Sequence, residues 1–258
     1  MSALFVLQHV SAGYGSKAVV EDISLDLRAG EFCAMLGLNG SGKTTLLKAV
    51  SGLIPMQSGR CLVNDIDCTH LNEHKRARYM SYIPQRHSKL LGVSVQDVVL
   101  MGRNPHLNVF ESPNTADRER AEALLVKMGM DEAADQDFSR LSEGQKQLVI
   151  LTRALLQDTP IMLMDEPDSA LDYLNRHKMM QRLRGLIHTQ GKAGLVTLHD
   201  PGFALAYCDR LVLLHEGRLV AELSLPGASA QEIREKLALI YGELELVLHD
   251  GRYLVLMG

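Results

Sequence analysis

Long hydrophobic runs are missing from this 258-residue sequence. No stretch approaches the roughly 18 consecutive apolar residues that a membrane-spanning helix needs, because Asp, Glu, Arg or Gly soon interrupts each apolar run. Residues 1–10 also lack the basic flank, apolar stretch and small-residue cleavage site of a secretory signal. We therefore expect a chain that does not cross a membrane by itself and that resides in the cytosol.

Cysteine is scarce, and basic charge is not in excess. The four cysteines form no CxxC pair and no regular framework, which favours reduced, structural thiols over disulfides or a zinc site; they are Cys33, Cys61, Cys68 and Cys208. Lys and Arg number 27 against 31 Asp and Glu, which gives a formal net charge of −4. Such a chain does not coat nucleic acid through bulk charge, although a local basic patch is compatible with this balance.

The residues that are present predict a globular α/β protein with a sizeable core, since 46% of them are hydrophobic and 22% are charged. Apolar patterning predicts short strands at 5–10, 23–27, 31–36, 161–164 and 195–198, and helices at 43–50 and 173–187. The first two strands lie on either side of a predicted turn at Gly13-Tyr14-Gly15. Strands that alternate with helices and end in polar residues indicate a mostly parallel sheet with its chemistry at the strand C-termini.

The middle and the end of the chain differ from the rest in composition and in predicted secondary structure. Residues 87–140 contain several Pro and Asn residues and read as a helical insertion, in which a helix at 117–128 places Ala121, Leu124, Leu125 and Met128 on one face. The tail begins with a helix and continues as a hairpin around Asp250-Gly251. We expect a single domain over 1–258, with its core at 1–86 and 141–225, the helical section at 87–140 and a C-terminal extension at 226–258.

A phosphate-binding loop is the most informative motif. The pattern GxxxxGK[ST] is matched, between a predicted strand and a predicted helix, by Gly37-Leu38-Asn39-Gly40-Ser41-Gly42-Lys43-Thr44, with Thr45 following. Glycines allow successive backbone N–H groups to turn inward around phosphate oxygens. Lys43 would bind the β- and γ-phosphates, Thr44 would ligate Mg²⁺, and the helix N-terminus adds partial positive charge.

An acidic pair at the end of a later strand complements this loop. A nucleoside triphosphate site needs a carboxylate for the metal and a group that orients the attacking water. Asp165 is the candidate metal ligand, and Glu166 is the candidate general base.

Further motifs resemble those of the ABC ATPases. Leu141-Ser142-Glu143-Gly144-Gln145 resembles the LSGGQ signature of that family and lies upstream of Asp165. The other family positions follow in order: Tyr14 as the adenine-stacking residue, Gln85 as the Q-loop residue that contacts Mg²⁺ or water, Ser169-Ala170-Leu171-Asp172 as the D-loop, and His199 as the switch histidine at the γ-phosphate. The resemblance spans about residues 3 to 225.

The resemblance implies an α/β P-loop NTPase with a RecA-like core, an N-terminal antiparallel β section and a helical subdomain. It also implies that each ATP lies between residues 37–45 of one chain and Ser142 to Gln145 of another. A helix start with its Ser and N–H groups forms a second anion cradle that one chain does not obviously fold onto its own loop. Because the sequence holds one such domain, we expect a twofold homodimer, in which Asp172 organises the opposite site.

One residue departs from the family pattern. Glu143 stands where the signature usually has Gly, and a carboxylate facing the γ-phosphate would oppose binding by like-charge repulsion. We expect its side chain to point away and to leave Ser142 and Gly144 to make the contacts.

The segment 94–106 resembles the V-x-G-R-x-P-H pattern of importers for iron siderophores, haem, cobalamin and related oxyanions or metal chelates. The alternative is that this segment only caps the helical subdomain. The resemblance implies the ATPase subunit of such an importer, peripheral on the cytoplasmic face of the inner membrane. Its partners would be a separate multi-span permease, which docks at the Q-loop and the helical section, and an extracytoplasmic substrate-binding protein.

Two other functions are compatible with the same motifs. They are a soluble ABC ATPase that remodels a protein or nucleic-acid partner and the subunit of an exporter. The sequence shows no fused membrane spans, long coiled-coil insertions or tandem nucleotide domains, which disfavours fused exporters, DNA-repair ATPases and translation factors, and we expect no nucleic-acid partner. A binding module without hydrolysis is disfavoured because Lys43, Asp165, Glu166 and His199 are all present.

Overall fold

The computed structural model describes residues 3–86, 90–108 and 110–257, and this part contains twelve strands and eight α-helices. The strands are β1 (Phe5–Tyr14), β2 (Lys17–Leu27), β3 (Phe32–Leu36), β4 (Met56–Val63), β5 (Ile66–Asp67), β6 (Met80–Ile83), β7 (Ile161–Asp165), β8 (Ala193–Thr197), β9 (Arg210–His215), β10 (Arg218–Ser224), β11 (Leu244–His249) and β12 (Arg252–Met257). The helices are α1 (Lys43–Ser51), α2 (Glu73–Arg76), α3 (Val95–Leu100), α4 (Thr115–Met128), α5 (Glu143–Gln157), α6 (Tyr173–Gln190), α7 (Pro201–Tyr207) and α8 (Ala230–Tyr241). The predicted domain ends at residues 1–2 and 258, and the predicted start of the helical section at 87–89, lie outside the described residues.

A six-stranded sheet in the order β10-β9-β3-β8-β7-β6 forms the centre of the fold. Its strands from β9 to β6 are parallel, and β10 pairs antiparallel at one edge. Every residue of β3, β7 and β8 is buried, as expected of parallel strands that are covered on both faces. In β3, Phe32, Ala34 and Leu36 face one hydrophobic core, whereas Cys33 and Met35 face the other.

The N-terminal sheet is antiparallel, in the order β2-β1-β4-β5, as the resemblance implied. Its first two strands are longer than predicted, and the predicted turn at Gly13-Tyr14-Gly15 was misplaced, because Tyr14 still pairs with Lys17. The register shifts between Leu7 and Val10, next to His9, which has a φ of 52°. Such a bulge interrupts the two-residue alternation by which strands are recognised in a sequence.

A layer of helices packs against the central sheet. Helix α5 packs against α3, α4 and β6, so the helical layer and the sheet share one core. The predicted face of α4 is buried at all four positions: Ala121, Leu124, Leu125 and Met128. None of the helices in the described ranges combines the length and the hydrophobicity that crossing a bilayer requires.

The segment 94–106, which resembles the importer pattern, is held by contacts to other parts of the chain. Its contacts are Arg103 Nε to Asp117 Oδ1 (2.8 Å), Arg78 Nε to Pro105 O (2.7 Å) and His106 Nε2 to Gln157 O (2.8 Å). Gly102 lies so close to α5 that a Cβ atom there would be 2.3 Å from the carbonyl oxygen of Arg153. These internal contacts hold the segment in place and are compatible with both interpretations of it.

The C-terminal hairpin forms at the predicted position. Asp250 and Gly251 both have positive φ, 48° and 75°, which suits a tight two-residue turn between β11 and β12. The hairpin packs against α7 through β12.

All four cysteines are free and buried, as predicted. Burial raises the pKa of Cys33 to about 12 and that of Cys61 to about 12 as well, so both thiols stay protonated at neutral pH.

We predict that Gly102→Ala lowers the free energy of unfolding by about 1–3 kcal/mol, because backbone atoms of α5 must move to accept the methyl group. Gly185→Ala is the matched control, since its Cβ has no neighbour within 4 Å in the middle of α6. That change should raise stability by up to about 1 kcal/mol. Urea titration followed by circular dichroism measures both, and equal stability of Gly102→Ala and the parent chain would contradict the close packing.

Candidate active site

The predicted phosphate-binding loop lies between the C-terminal end of β3 and the start of α1. Gly40 and Gly42 have φ of 80° and 106°, a region that favours glycine. Gly42 is the N-cap of α1 and supplies no side-chain cap, so the first N–H groups of the helix are available to an anion. The loop encloses a cavity of about 170 Å³ lined by Val19, Asn39, Gly40, Ser41, Gly42, Lys43, Thr44, Thr45 and Glu166.

Two side chains of the loop fit a phosphate group. Lys43 is buried, and its Nζ donates to the carbonyl oxygens of Gly37 (2.7 Å) and Leu38 (3.2 Å). Burial lowers the pKa of Lys43, while the nearby carboxylates of Glu166 and Asp165 oppose that shift. The hydroxyl of Ser41 is buried without a hydrogen-bond partner among the described residues. Because buried polar atoms are normally paired, this hydroxyl fits an acceptor supplied by a ligand.

Asp165 is held by three hydroxyl groups. Its Oδ1 accepts from Thr44 Oγ1 (3.0 Å) and Thr197 Oγ1 (3.0 Å), and its Oδ2 accepts from the Tyr82 hydroxyl (3.2 Å). Burial, followed by the charge of Asp165, raises the pKa of Tyr82 well above its ordinary value, so Tyr82 remains a donor at neutral pH. The buried carboxylate therefore has a fixed orientation beside the loop.

Glu166 follows in a strained backbone conformation, with a φ of 47°. Its N–H donates to Thr197 Oγ1 (2.9 Å), which holds the backbone in place. Its carboxylate accepts from Gln85 Nε2 on one oxygen and lies 2.6 Å from His199 Nε2 on the other. The fold thus brings Gln85, Glu166 and His199 together at the edge of the phosphate loop.

The three predicted metal ligands, Thr44, Gln85 and Asp165, line one cavity of about 590 Å³. Hydroxyl, amide and carboxylate oxygens are the donors that Mg²⁺ accepts, usually together with phosphate oxygens and water. Within the described ranges no cluster of three or more His, Cys, Asp or Glu side chains could hold a metal ion alone. The donor set therefore fits Mg²⁺ that arrives with a nucleotide.

The predicted signature residues lie apart from this cluster. Ser142 is the N-cap of α5 and forms a capping box with Gln145, and Gly144 faces Ala170 and Leu171 in the D-loop. Among the described residues no hydrogen bond joins Ser142, Gly144 or Gln145 to residues 37–45. This helix end is largely exposed, and the hydrogen bonds of Ser142 and Gln145 join these two residues to each other.

Glu143 occupies the first turn of α5. Its side chain is 68% exposed, and its Oε1 lies 2.7 Å from Lys146 Nζ. This pairing along the helix supports the expected outward orientation of Glu143.

Tyr14 and the D-loop complete the predicted set. Tyr14 is 56% exposed at the end of β1, in the hairpin whose second strand contributes Val19 to the phosphate cavity. Asp172 caps α6 by accepting from the N–H of Asn175 (2.8 Å).

A neighbouring arginine joins the two catalytic loops. Arg176 pairs with Asp168, after Glu166, at 3.3 Å, and with Asp200, after His199, at 3.6 Å. Its guanidinium carbon lies 4.2 Å from the centre of the Phe203 ring. The loops that carry Glu166 and His199 are thereby connected outside the carboxylate cluster.

Sequence analysis did not identify Tyr82 and Thr197. Thr197 meets the acidic pair because it lies opposite Asp165 in the register of β7 and β8, and Tyr82 arrives on β6 from the other side. Both contacts depend on which strands are neighbours. The one signal in the sequence is position, since each residue lies near the end of a strand and shortly before Gln85 or His199.

A comparison with protein-family models decides the family. The model described as "ABC transporter" matches residues 20–169, more than half of the chain. This chain belongs to the ABC transporter family. The predicted P-loop NTPase fold of an ABC ATPase is confirmed, and the chain is an ATP-binding and ATP-hydrolysing cassette.

Relatives of this ABC ATPase cover most of its length. It is 32% identical over 251 residues to a probable iron chelatin transport ATP-binding protein of Helicobacter pylori, covering 96% of this chain and 97% of that protein. It is 39% identical over 211 residues to the manganese transport system ATP-binding protein MntB of Bacillus subtilis, covering 81% and 82%. A dimeric ATP-binding cassette solved in a post-hydrolysis state with ADP and Pi is 27% identical, with a TM-score of 0.76 over 87% of this chain and 100% of that one.

We predict that Thr197→Val lowers the kcat of ATP hydrolysis about tenfold or more while changing the KM for ATP little. Hydrogen bonds to charged groups contribute about 1.5–3 kcal/mol, and a loss of that size in the transition state alone lowers kcat by about one to two orders of magnitude. Steady-state phosphate release measures both constants.

Thr197→Ser keeps the hydroxyl and should restore most of the rate. Thr152→Val is the matched control, because the buried Thr152 hydroxyl donates within α5 to Leu148 O (2.7 Å). Equal losses in Thr197→Val and Thr197→Ser would show that the hydroxyl is not what holds the site.

We also predict that Glu143→Gly changes ATPase activity only modestly, because the carboxylate is directed to solvent and Lys146. The comparison is made at saturating ATP. A loss or gain of about a hundredfold or more, equivalent to roughly 2.7 kcal/mol, would show that Glu143 faces the nucleotide.

Proposed function

We propose that this chain is the ATP-hydrolysing subunit of an importer, working as a homodimer on a separate membrane permease and taking up an iron chelate or a related metal-containing cargo. The observation that carries the ATPase part is the convergence of Gln85 and His199 on Glu166 beside the phosphate cavity. The import part is supported by relatives named as iron chelatin and manganese transport proteins, rather than as exporters or remodelling factors.

In this proposal, residues 37–45 bind the phosphates of ATP. The N–H groups of the glycine loop and the Lys43 ammonium group bind phosphate oxygens. A phosphate oxygen also accepts a hydrogen bond from the buried Ser41 hydroxyl. Tyr14 stacks on the adenine ring from the adjoining hairpin. Nucleotide binding is then largely electrostatic. Stacking on Tyr14 needs only the flat face of a base, so it does not depend on which base the nucleotide carries.

Glu166 orients the attacking water and accepts its proton. Its buried carboxylate is oriented by the Thr197 contact to its backbone, and His199, which adjoins it, would contact the γ-phosphate. Thr44, Gln85 and Asp165 would hold Mg²⁺. When bound, Mg²⁺ neutralises charge that develops on the β- and γ-phosphate oxygens.

A second copy completes each site. Among the residues that the structure describes, Ser142, Gly144 and Gln145 make no hydrogen bond to the phosphate loop of the same chain, and Ser142 and Gln145 hydrogen-bond to each other. In the proposed homodimer this helix end faces residues 37–45 of the other copy, and Asp172 adjoins the same boundary. ATP then binds the closed dimer more tightly than the open one, and hydrolysis reverses that preference.

The permease would dock at the cavity of about 590 Å³ that the metal ligands also line, on the part of its wall that includes Leu53, Arg86 and Arg153. This groove is lined by apolar side chains together with basic and acidic ones, a mixture that suits an amphipathic cytoplasmic helix of a membrane protein. The chain would therefore be peripheral on the cytoplasmic face of the membrane, and an extracytoplasmic binding protein would deliver the cargo. Cargo choice would lie with those partners, which is consistent with the different cargoes of the named relatives.

The catalytic test compares Glu166→Gln with Lys43→Ala. Glu166→Gln should lower ATP turnover by about a hundredfold or more, because general-base catalysis is worth about 10²–10⁴-fold. It should still form a dimer with ATP in size-exclusion chromatography with light scattering. Lys43→Ala should weaken nucleotide binding and form no such dimer. Glu243→Gln, on an exposed carboxylate, is the control.

Retained hydrolysis in Glu166→Gln would remove Glu166 as the base. The import proposal is tested separately, by uptake of a radiolabelled ferric chelate into cells that lack this chain. Uptake should return with the parent chain and not with Glu166→Gln. Unimpaired uptake in the cells that lack this chain would contradict an import role for that cargo.

A further inference from the structure

The C-terminal hairpin presents an apolar face to solvent. Because directly paired residues of antiparallel strands share a face, the register of β11 and β12 places three pairs on one side: Glu245 with Leu256, Val247 with Leu254 and His249 with Arg252. We call these six residues the outer face. Its three apolar members, Val247, Leu254 and Leu256, are 42%, 49% and 50% exposed. The centre of the outer face is therefore an apolar strip in contact with water.

The other face of the hairpin anchors it to the chain. Leu246, Tyr253 and Val255 are partly buried and pack against the core. In α7, a Cβ atom at Gly202 would lie 3.8 Å from Val255 Cγ2, which is ordinary van der Waals contact. The hairpin is thus held through one face, and its outer face is accessible to a partner.

The charges on the outer face are arranged so that the face complements itself. Glu245 lies at one end, Arg252 lies at the turn end, and the apolar strip lies between them. His249 shares the turn end and pairs with Asp250 at 3.6 Å. Within the described ranges, neither Glu245 nor Arg252 forms an ion pair or a side-chain hydrogen bond. A twofold axis through the strip places Glu245 of one copy opposite Arg252 of the other.

The hairpin also adjoins the boundary at which the proposed homodimer forms. Burial, followed by the charges of Arg176 and Arg252, lowers the pKa of His177, so the hairpin turn lies close to α6. The ring centre of His177 lies 4.5 Å from that of Tyr173. Tyr173 directly follows Asp172 of the D-loop and is 76% exposed. The outer face is therefore positioned to continue the D-loop boundary.

We propose that the outer face binds the outer face of a second copy, as a further contact of the homodimer. This inference rests on the proposed function, whose dimer brings the two hairpins to one boundary. Burial of the apolar strip stabilises the dimer, and the two Glu245–Arg252 pairs at its rim fix the register. Because a face that pairs with itself through a twofold axis is then fully used, the assembly closes at two copies.

The first test replaces the centre of the strip with a charge. It uses the Glu166→Gln background with ATP and Mg²⁺, in which nucleotide is bound and turnover is blocked, and measures the dissociation constant of the dimer by sedimentation velocity. Leu254→Glu should weaken the dimer about tenfold or more, because the carboxylate would be desolvated in the contact.

Leu248→Glu is the matched control for Leu254→Glu. Leu248 lies on the same hairpin and is 62% exposed, but it pairs with Tyr253 and so belongs to the opposite face. This variant should stay within about twofold of its background, since only the outer face meets the second copy.

The second test reverses charges and does not depend on how Leu254→Glu folds. Glu245→Arg and Arg252→Glu should each weaken the dimer about three- to tenfold, because like charges then face each other. The double variant should return to within about twofold of the background, since both pairs are formed again with reversed sign. The two residues lie at opposite ends of the hairpin, so such a restoration comes from contacts between copies.

An unchanged dissociation constant in Leu254→Glu would overturn the inference and leave the proposed function intact. Equal weakening by Leu248→Glu, or a double charge variant no tighter than the single ones, would likewise overturn it. If the Glu166→Gln chain formed no dimer with ATP, the proposed homodimer itself would be wrong, and the hairpin contact with it.

Discussion

The Asp165 carboxylate accepts hydrogen bonds from Thr44, Tyr82 and Thr197, which belong to α1, β6 and β8. These elements converge because β6, β7 and β8 are parallel neighbours whose C-terminal ends share one edge of the sheet. A buried carboxylate is stable only when several donors surround it. The Asp165 side chain thus fixes α1, β6 and β8 relative to one another at this edge of the sheet.

The parts of the site that depend on local backbone requirements could be predicted from the sequence. The loop from Gly37 to Thr45 is contiguous, and its glycines at positive φ are required wherever the chain bends in this way. Tyr82 and Thr197 could not be predicted, because their contacts follow from strand order and from the register of Thr197 opposite Asp165. The first two strands were predicted too short because the bulge at His9 breaks their alternation.

The two halves of the proposed ATP site have different physical characters within one chain. The phosphate loop is partly buried and carries the Ser41 hydroxyl, which has no hydrogen-bond partner in the described part of the chain, whereas the Ser142 helix end is exposed and its side chains cap their own helix. Both halves lie at the start of a helix, where N–H and hydroxyl groups suit a bound triphosphate, which is the basis for proposing that two copies share each ATP. Arg176, between Asp168 and Asp200, links the residue that precedes the D-loop with the loop of His199.

The buried thiols have a practical consequence for observing this molecule at work. Cys33, Cys61, Cys68 and Cys208 are all enclosed by the folded chain, and burial raises the pKa of each. Thiol-reactive dyes attack the thiolate form, so these side chains contribute little background labelling while the fold is intact. A fluorophore pair attached through single introduced cysteines can therefore report opening and closing of two copies in real time, without first replacing the native cysteines.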